Sequence, residues 1–286
     1  MKKDEFNIGA VLGLMTPVLI YYGAVLAAEL LCSLGWVLFN IGSYMGADGA
    51  LDYDAMTEVF YGIYTERALV MQTAGALLTI VILTILFRRD IPKRGFYFDT
   101  SSVRLPHYFL LIPAGIAASV AGTMMVNVGT WAQTSEAYQE AAEILYSGPM
   151  LLQVIALGVI FPVTEELIYR GLIYMRMRRF MNINMAIGFS ALIFAAMHAN
   201  IVQGIYAFIL GIALAFVYEK YGSLKACMTL HISANMASLA IEAFADFFDG
   251  FTSAHFAAAA AAFGLLTLLS LVIIDRSVSC DCRKMS

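Results

Sequence analysis

Charge is what this sequence is short of. Only 13% of its 286 residues are charged and 61% are hydrophobic, where a soluble domain of that length carries roughly 25% charged residues. So little polar surface cannot cover a water-soluble globule, and lipid must be the solvent for most of the chain. A basic face is missing too: the net charge is -4 and the pI about 5.6, which argues against a nucleic-acid partner. A cysteine framework is also absent. Cys32, Cys227, Cys280 and Cys282 are scattered or terminal, with neither disulfide-framework nor zinc-finger spacing. Cys280-Asp281-Cys282 could hold a metal or a lipid, but reads first as a thiol pair in a reducing cytoplasm, and it is no prenylation box. Nothing points to a soluble domain. The longest loops, near 40–65 and 130–148, are too short to bury a core, and no repeat period is visible.

Long apolar runs are what the chain has instead. Crossing a hydrocarbon core of about 30 Å takes about 20 apolar residues. Eight stretches qualify, near 8–39, 66–87, 107–129, 149–175, 183–199, 202–219, 224–245 and 254–274. The expected fold is all-α: a single polytopic membrane domain over 1–286 with about eight transmembrane helices. The first run starts after Lys2 and Lys3 and continues to about Ile41. That is too long for the 7–15-residue core of a signal peptide, so an uncleaved helix is expected, tilted or projecting. The fifth and sixth runs are separated by little more than Ala199 and Asn200. Their connection should be a hairpin tip covered by protein, because bare loop backbone cannot face lipid.

Charge placement tests this division. With eight spans and an inside N-terminus, 16 of the 17 basic residues fall on the cytoplasmic side, Arg67 being the exception. This is the bias of the positive-inside rule. It predicts an integral protein of a bacterial or archaeal cytoplasmic membrane, both termini cytoplasmic. The outer loops are acidic. Asp48, Asp52 and Asp54 are the nearest thing to a calcium loop, but lack the spacing of one.

Ionisable groups inside a bilayer cost roughly 2.5–3.5 kcal/mol each near a helix centre and persist when paired or functional. Here they are Glu29, Glu165, Glu166, Arg170, His198 and His231, joined by the amide of Asn235. Glu29 stands alone and reads as a protonated or loop-facing carboxyl. His107 and His255 stand at helix starts and read as structural. Glu166 and Arg170 are four residues apart and can pair along one face. Glu165 points about 100° away, free to face a polar cavity; alternatively, both carboxylates serve Arg170. Counted along their helices, Glu165 lies about 16 Å, His198 about 21 Å and His231 about 12 Å from the basic end. His231 and Asn235, four residues apart, project into one space.

A carboxylate and an imidazole can share a water and take its proton. An imidazole N–H and an amide NH2 can donate to a developing oxyanion. Together they suffice to hydrolyse an amide without a covalent intermediate. No serine or cysteine lies in a nucleophile motif, and Thr164, Ser190 and Ser233 lack a dedicated base. The competing mechanism uses zinc, with Glu165, His198 and His231 as ligands. The usual His-Glu-x-x-His spacing is missing. The cofactor expectation therefore stays open between none and zinc.

Glu165-Glu166-x-x-x-Arg170, then Phe194-x-x-x-His198, then His231-x-x-x-Asn235, on separate apolar helices, resembles the motif set of the type II CAAX prenyl endopeptidase and bacteriocin-processing family. Tyr221-Gly222-Ser223-Leu224 fits the same pattern. The resemblance covers about residues 148–245, the expected catalytic helices. It implies the intramembrane glutamate-protease fold with a cavity open to the cytosol. It also implies that Glu165 activates water, His198 helps to position it, His231 and Asn235 form an oxyanion hole, and Glu166 and Arg170 support the site. The expected substrate is a membrane-associated peptide or protein, prenylated or otherwise lipidated, met in the lipid. Two other readings compete. One is a non-catalytic immunity or scaffold protein keeping the fold. The other is a proton-coupled transporter, for which the internal symmetry of such folds is missing.

Overall fold

The computed structural model describes residues 8–45, 50–93, 96–129, 131–146, 148–198 and 200–284. Lys2, Lys3, Asp48, Arg94 and Ala199 lie outside these ranges. Nine longer helices carry the described chain: α1 Ile8–Phe39, α2 Tyr53–Asp90, α3 Leu105–Val128, α4 Glu136–Tyr146, α5 Met150–Met177, α6 Ile183–Ala196, α7 Ile201–Tyr221, α8 Leu224–Ala243 and α9 Ser253–Ser277. All eight expected apolar stretches fold as helices, and the chain is an all-α integral membrane protein.

Among the described residues, six of the helices are by length and composition both long and apolar enough to cross a bilayer: α1, Arg67–Lys93 of α2, α3, α5, α7 and α9. The other two of the about eight expected spans, α6 and α8, fall outside this set. The 14 residues of α6 reach only about 21 Å. The 20-residue α8 is long enough, but Lys225, Thr229, His231, Ser233, Asn235, Ser238 and Glu242 dilute its apolarity. It is shielded from lipid by packing on α3. A Cβ added to Gly115 of α3 would collide with the Leu230 carbonyl of α8.

The long loops are also more ordered than the sequence suggests. The segment from Tyr53 prolongs α2 to 38 residues, or about 57 Å, so α2 projects well past the hydrocarbon. Asp52 caps it, its carboxylate accepting from the Ala55 N–H at 3.0 Å. The amphipathic α4 fills the second loop. His107 and His255 are caps as well, their Nδ1 atoms accepting from the N–H groups of Arg104 and Thr252. At the α6–α7 tip Asn200 is buried and its side chain accepts from the Gln203 N–H at 2.8 Å.

α5 is the central post. Every residue of Leu167–Tyr174 is buried. Its hydrogen bonding widens to the π-helical pattern in two stretches, Ala156–Ile160 and Leu167–Tyr174. Such widening is rare and often marks functional sites. Glu165 and Glu166 sit between the two. The basic end of the bundle is tied by Arg176 to Asp90 at 2.6 Å, Arg178 to Glu219 at 2.5 Å, and Lys220 to Asp275. A two-stranded antiparallel ribbon, β1 Phe96–Asp99 with β2 Asp281–Lys284, closes that end. It joins the α2–α3 connection to the C-terminal segment. Cys280 leads into the ribbon and its Sγ donates to the Asp99 carbonyl at 3.1 Å.

Candidate active site

Glu166 and Arg170 are both fully buried and pair at 2.8 Å, one turn apart on α5. Two further contacts hold the guanidinium. Nη2 donates to the Gly211 carbonyl of α7 at 3.0 Å, and the group lies 4.7 Å from the Phe194 ring of α6. A charge in this setting is tolerable only when paired and hydrogen-bonded. Three helices are thereby fastened at one level. Glu166 also accepts from His231 Nδ1 of α8 at 2.8 Å, through the same oxygen that receives Arg170.

That bond fixes the imidazole. An ionised carboxylate can only accept, so Nδ1 of His231 carries the proton and Nε2 is turned the other way. Nε2 lies 3.6 Å from Oε2 of Glu165, whose side chain is 28% exposed. The two adjacent carboxylates thus do different work, as their 100° separation on the helix requires. Glu166 anchors the ring, and Glu165 faces the open side.

His198 is just past the end of α6, where its Nδ1–H donates to the Phe194 carbonyl at 2.8 Å. This bond leaves Nε2 for other partners. The Phe194 ring meets His198 edge-on at 4.9 Å, His231 at 5.9 Å and Tyr169 at 4.9 Å. It is the wedge that spaces the two imidazoles. Asn235 is used structurally by one of its two amide hydrogens, which goes to the Leu157 carbonyl at 2.7 Å. Leu157 lies in the first π-helical stretch, so this bond pins α8 to the widened part of α5. The second amide hydrogen is available for an oxyanion. The three hydroxyls near the site are committed to carbonyls: Thr164 to Ile160, Ser233 to Thr229 and Ser190 to Tyr169.

Glu165, His198, His231 and Asn235 all line one cavity of about 1090 Å³. Residues that sequence reasoning missed share its wall, among them Tyr21, Tyr22, Tyr169, Phe194 and Tyr206. Aromatic residues are so common in membrane helices that nothing in their spacing distinguished these. Glu29 lines the cavity too, which corrects its reading as a loop-facing carboxyl. The cavity continues past Asn235 to Ser238, Glu242, Tyr138 and Tyr146. Tyr22, Leu26, Ile209 and Leu268 border the cavity and are themselves exposed.

Zinc needs three or four ligands at about 2 Å from one point. Among the described residues no three His, Cys, Asp or Glu side chains gather in that way. The Glu165, His198 and His231 set does not form a metal site in this arrangement.

Residues 147–237 match the family model described as type II CAAX prenyl endopeptidase Rce1-like. Comparison with curated proteins and with solved structures gave no match.

Proposed function

We propose that this chain, Rce1-like across residues 147–237 and so carrying the motifs of a protease family, is an intramembrane endopeptidase that attacks with water activated by Glu165. The observation that carries this reading is the approach of Glu165 to Nε2 of His231, 3.6 Å apart on the wall of a cavity within the bundle.

In this reading the scissile carbonyl lies near Asn235, and a water lies between Glu165 and His198 Nε2. The water oxygen bonds to the carbonyl carbon while its proton passes to Glu165. That proton can move on to His231 Nε2. His231 becomes a donor only when it takes this proton, because its other hydrogen is held by Glu166. The imidazolium and the second Asn235 N–H then face the oxyanion. Collapse of the tetrahedral intermediate breaks the C–N bond, and the leaving amine takes the proton back. The products are a carboxylate and an amine, and no covalent enzyme intermediate forms. Glu166 and Arg170 act as positioning residues: they touch the His231 ring and α7, not the reacting atoms. The apolar walls suit a membrane-associated peptide or protein, prenylated or otherwise lipidated. With the basic end cytoplasmic, both termini lie in the cytoplasm.

The test is hydrolysis of a randomised decapeptide library by the purified full-length protein in proteoliposomes, read by mass spectrometry. New termini are expected with the parent and none with Glu165→Gln. Equal cleavage by the two would overturn the mechanism. The alternative, a non-catalytic immunity or scaffold protein, requires a His198→Ala variant to complement a deletion fully.

A further inference from the structure

The far end of the cavity has a composition that hydrolysis does not require. Along α8, His231, Asn235, Ser238 and Glu242 recur at intervals of four, three and four residues, and all line the cavity. They form one polar stripe on a helix otherwise fitted to packing. Glu242 is exposed and lines the cavity, and among the described residues no cation pairs with it. Three tyrosines share the cavity wall with it. Tyr138 and Tyr146 come from α4 and Tyr206 from α7, and all three line the cavity. Burial pushes the Tyr146 phenol up to about 12, with the nearby Glu242 carboxylate and Tyr138 adding to the rise, while Ser238 hydrogen bonds to it. Tyr138 is raised for the same two reasons, burial first and then Glu242. Tyr138 and Tyr146 are thereby placed close to the Glu242 carboxylate.

Tyrosine faces around a carboxylate are a receptor for a cation. The surroundings favour the same sign. Glu136, Glu140, Glu143, Asp246 and Asp249 stand at this end of the chain's topology, and Arg67, the one basic residue there among the described residues, is stacked on Trp36 at 4.5 Å. We infer that Tyr138, Tyr146, Tyr206 and Glu242 form a subsite for a basic side chain of the peptide substrate. The inference rests on the protease reading and adds a specificity to it. His231 and Glu242 are eleven residues apart on one helix, about 16 Å. An extended peptide advances about 3.3–3.6 Å per residue. Asn235, where the scissile carbonyl is placed, is seven residues from Glu242, about 10 Å, so the basic residue lies about three to five residues from the bond that is cut.

The experiment is capture of a randomised decapeptide library on immobilised full-length Glu165→Gln protein, followed by sequencing of the bound peptides. Lysine and arginine should be enriched at least fivefold over the Glu165→Gln/Glu242→Gln double variant. The Glu165→Gln/Glu242→Lys variant should select aspartate and glutamate instead, a gain that a misfolded protein cannot show. Adding Glu140→Gln, outside the cavity wall, should leave the enrichment in place. Equal enrichment with and without Glu242, or a loss with Glu140→Gln as large as with Glu242→Gln, would overturn the subsite. Capture needs no turnover, so its failure leaves the Glu165 chemistry standing, and a failure of hydrolysis leaves this result standing.

Discussion

Neighbouring carboxylates should respond in opposite ways to the same substitution. Glu166→Gln removes the charge that Arg170 needs. Both side chains are fully buried, and without a counter-charge the guanidinium is left with a neutral amide oxygen, the Gly211 carbonyl and the Phe194 ring. Stranding one member of a buried pair costs about 3–5 kcal/mol. At 1.4 kcal/mol per tenfold change, that is on the order of 10²–10³ in the folding equilibrium. Glu165→Gln should cost little. Its side chain is partly exposed on a cavity wall, and its nearest charged-type partner is the His231 ring at 3.6 Å. The assay is thermal unfolding of the two purified variants in one detergent, alongside peptide hydrolysis. The midpoint should fall sharply for Glu166→Gln and stay near the parent for Glu165→Gln, while Glu165→Gln alone loses activity with its fold intact. A Glu166→Leu/Arg170→Met double variant should recover part of the lost stability, because apolar replacement of both partners removes the stranded charge. If Glu166→Gln melts with the parent, the buried pair does not organise the site as described.

Asn235→Ala should lower kcat about 10²–10³-fold with little change in KM, the usual cost of an oxyanion donor, measured on any peptide the parent cleaves. Gly75→Ala should destabilise the protein by about 1–3 kcal/mol, because the new Cβ would sit 2.5 Å from the Val25 backbone where α1 meets α2; Gly188→Ala, which meets open space, is the control. Gly222→Ala should cost about 1–2 kcal/mol in chemical unfolding, since that residue has φ +62 and packs against Phe98 of the ribbon. The exposed Cys282 should react with an impermeant thiol reagent only after cells are opened, as a cytoplasmic basic end requires; labelling of intact cells would invert the topology.

Hydrophobic runs locate membrane helices well because lipid leaves the backbone no alternative to internal hydrogen bonding. The helices near 8–39, 183–199 and 202–219 were legible for that reason. The Glu166–Arg170 pair was also legible, since spacing of four on a helix is a local property. What the sequence hid is long-range or conformational. Nothing local announces that Leu167–Tyr174 widens its helix, or that Asn235 reaches Leu157 across 78 positions. The ribbon of 96–99 with 281–284 pairs the α2–α3 connection with the far end of the chain, and each strand is only four residues long, too short to stand out. α8 misled in the other direction: its length suggests a span, while its polar stripe belongs to a cavity. Glu29 looked isolated because the cavity it lines is assembled from several helices, which no single run records.

The central claim is that Glu165 delivers water to a peptide bond, and water can be traced directly. Cells carrying the parent or Glu165→Gln are lysed and their membranes incubated in H2¹⁸O, and the C-termini of membrane proteins are then sequenced by mass spectrometry. The account predicts new C-termini bearing one ¹⁸O atom in the parent membranes and their absence in Glu165→Gln. The same labelled termini in both, or new termini without the label, would contradict it.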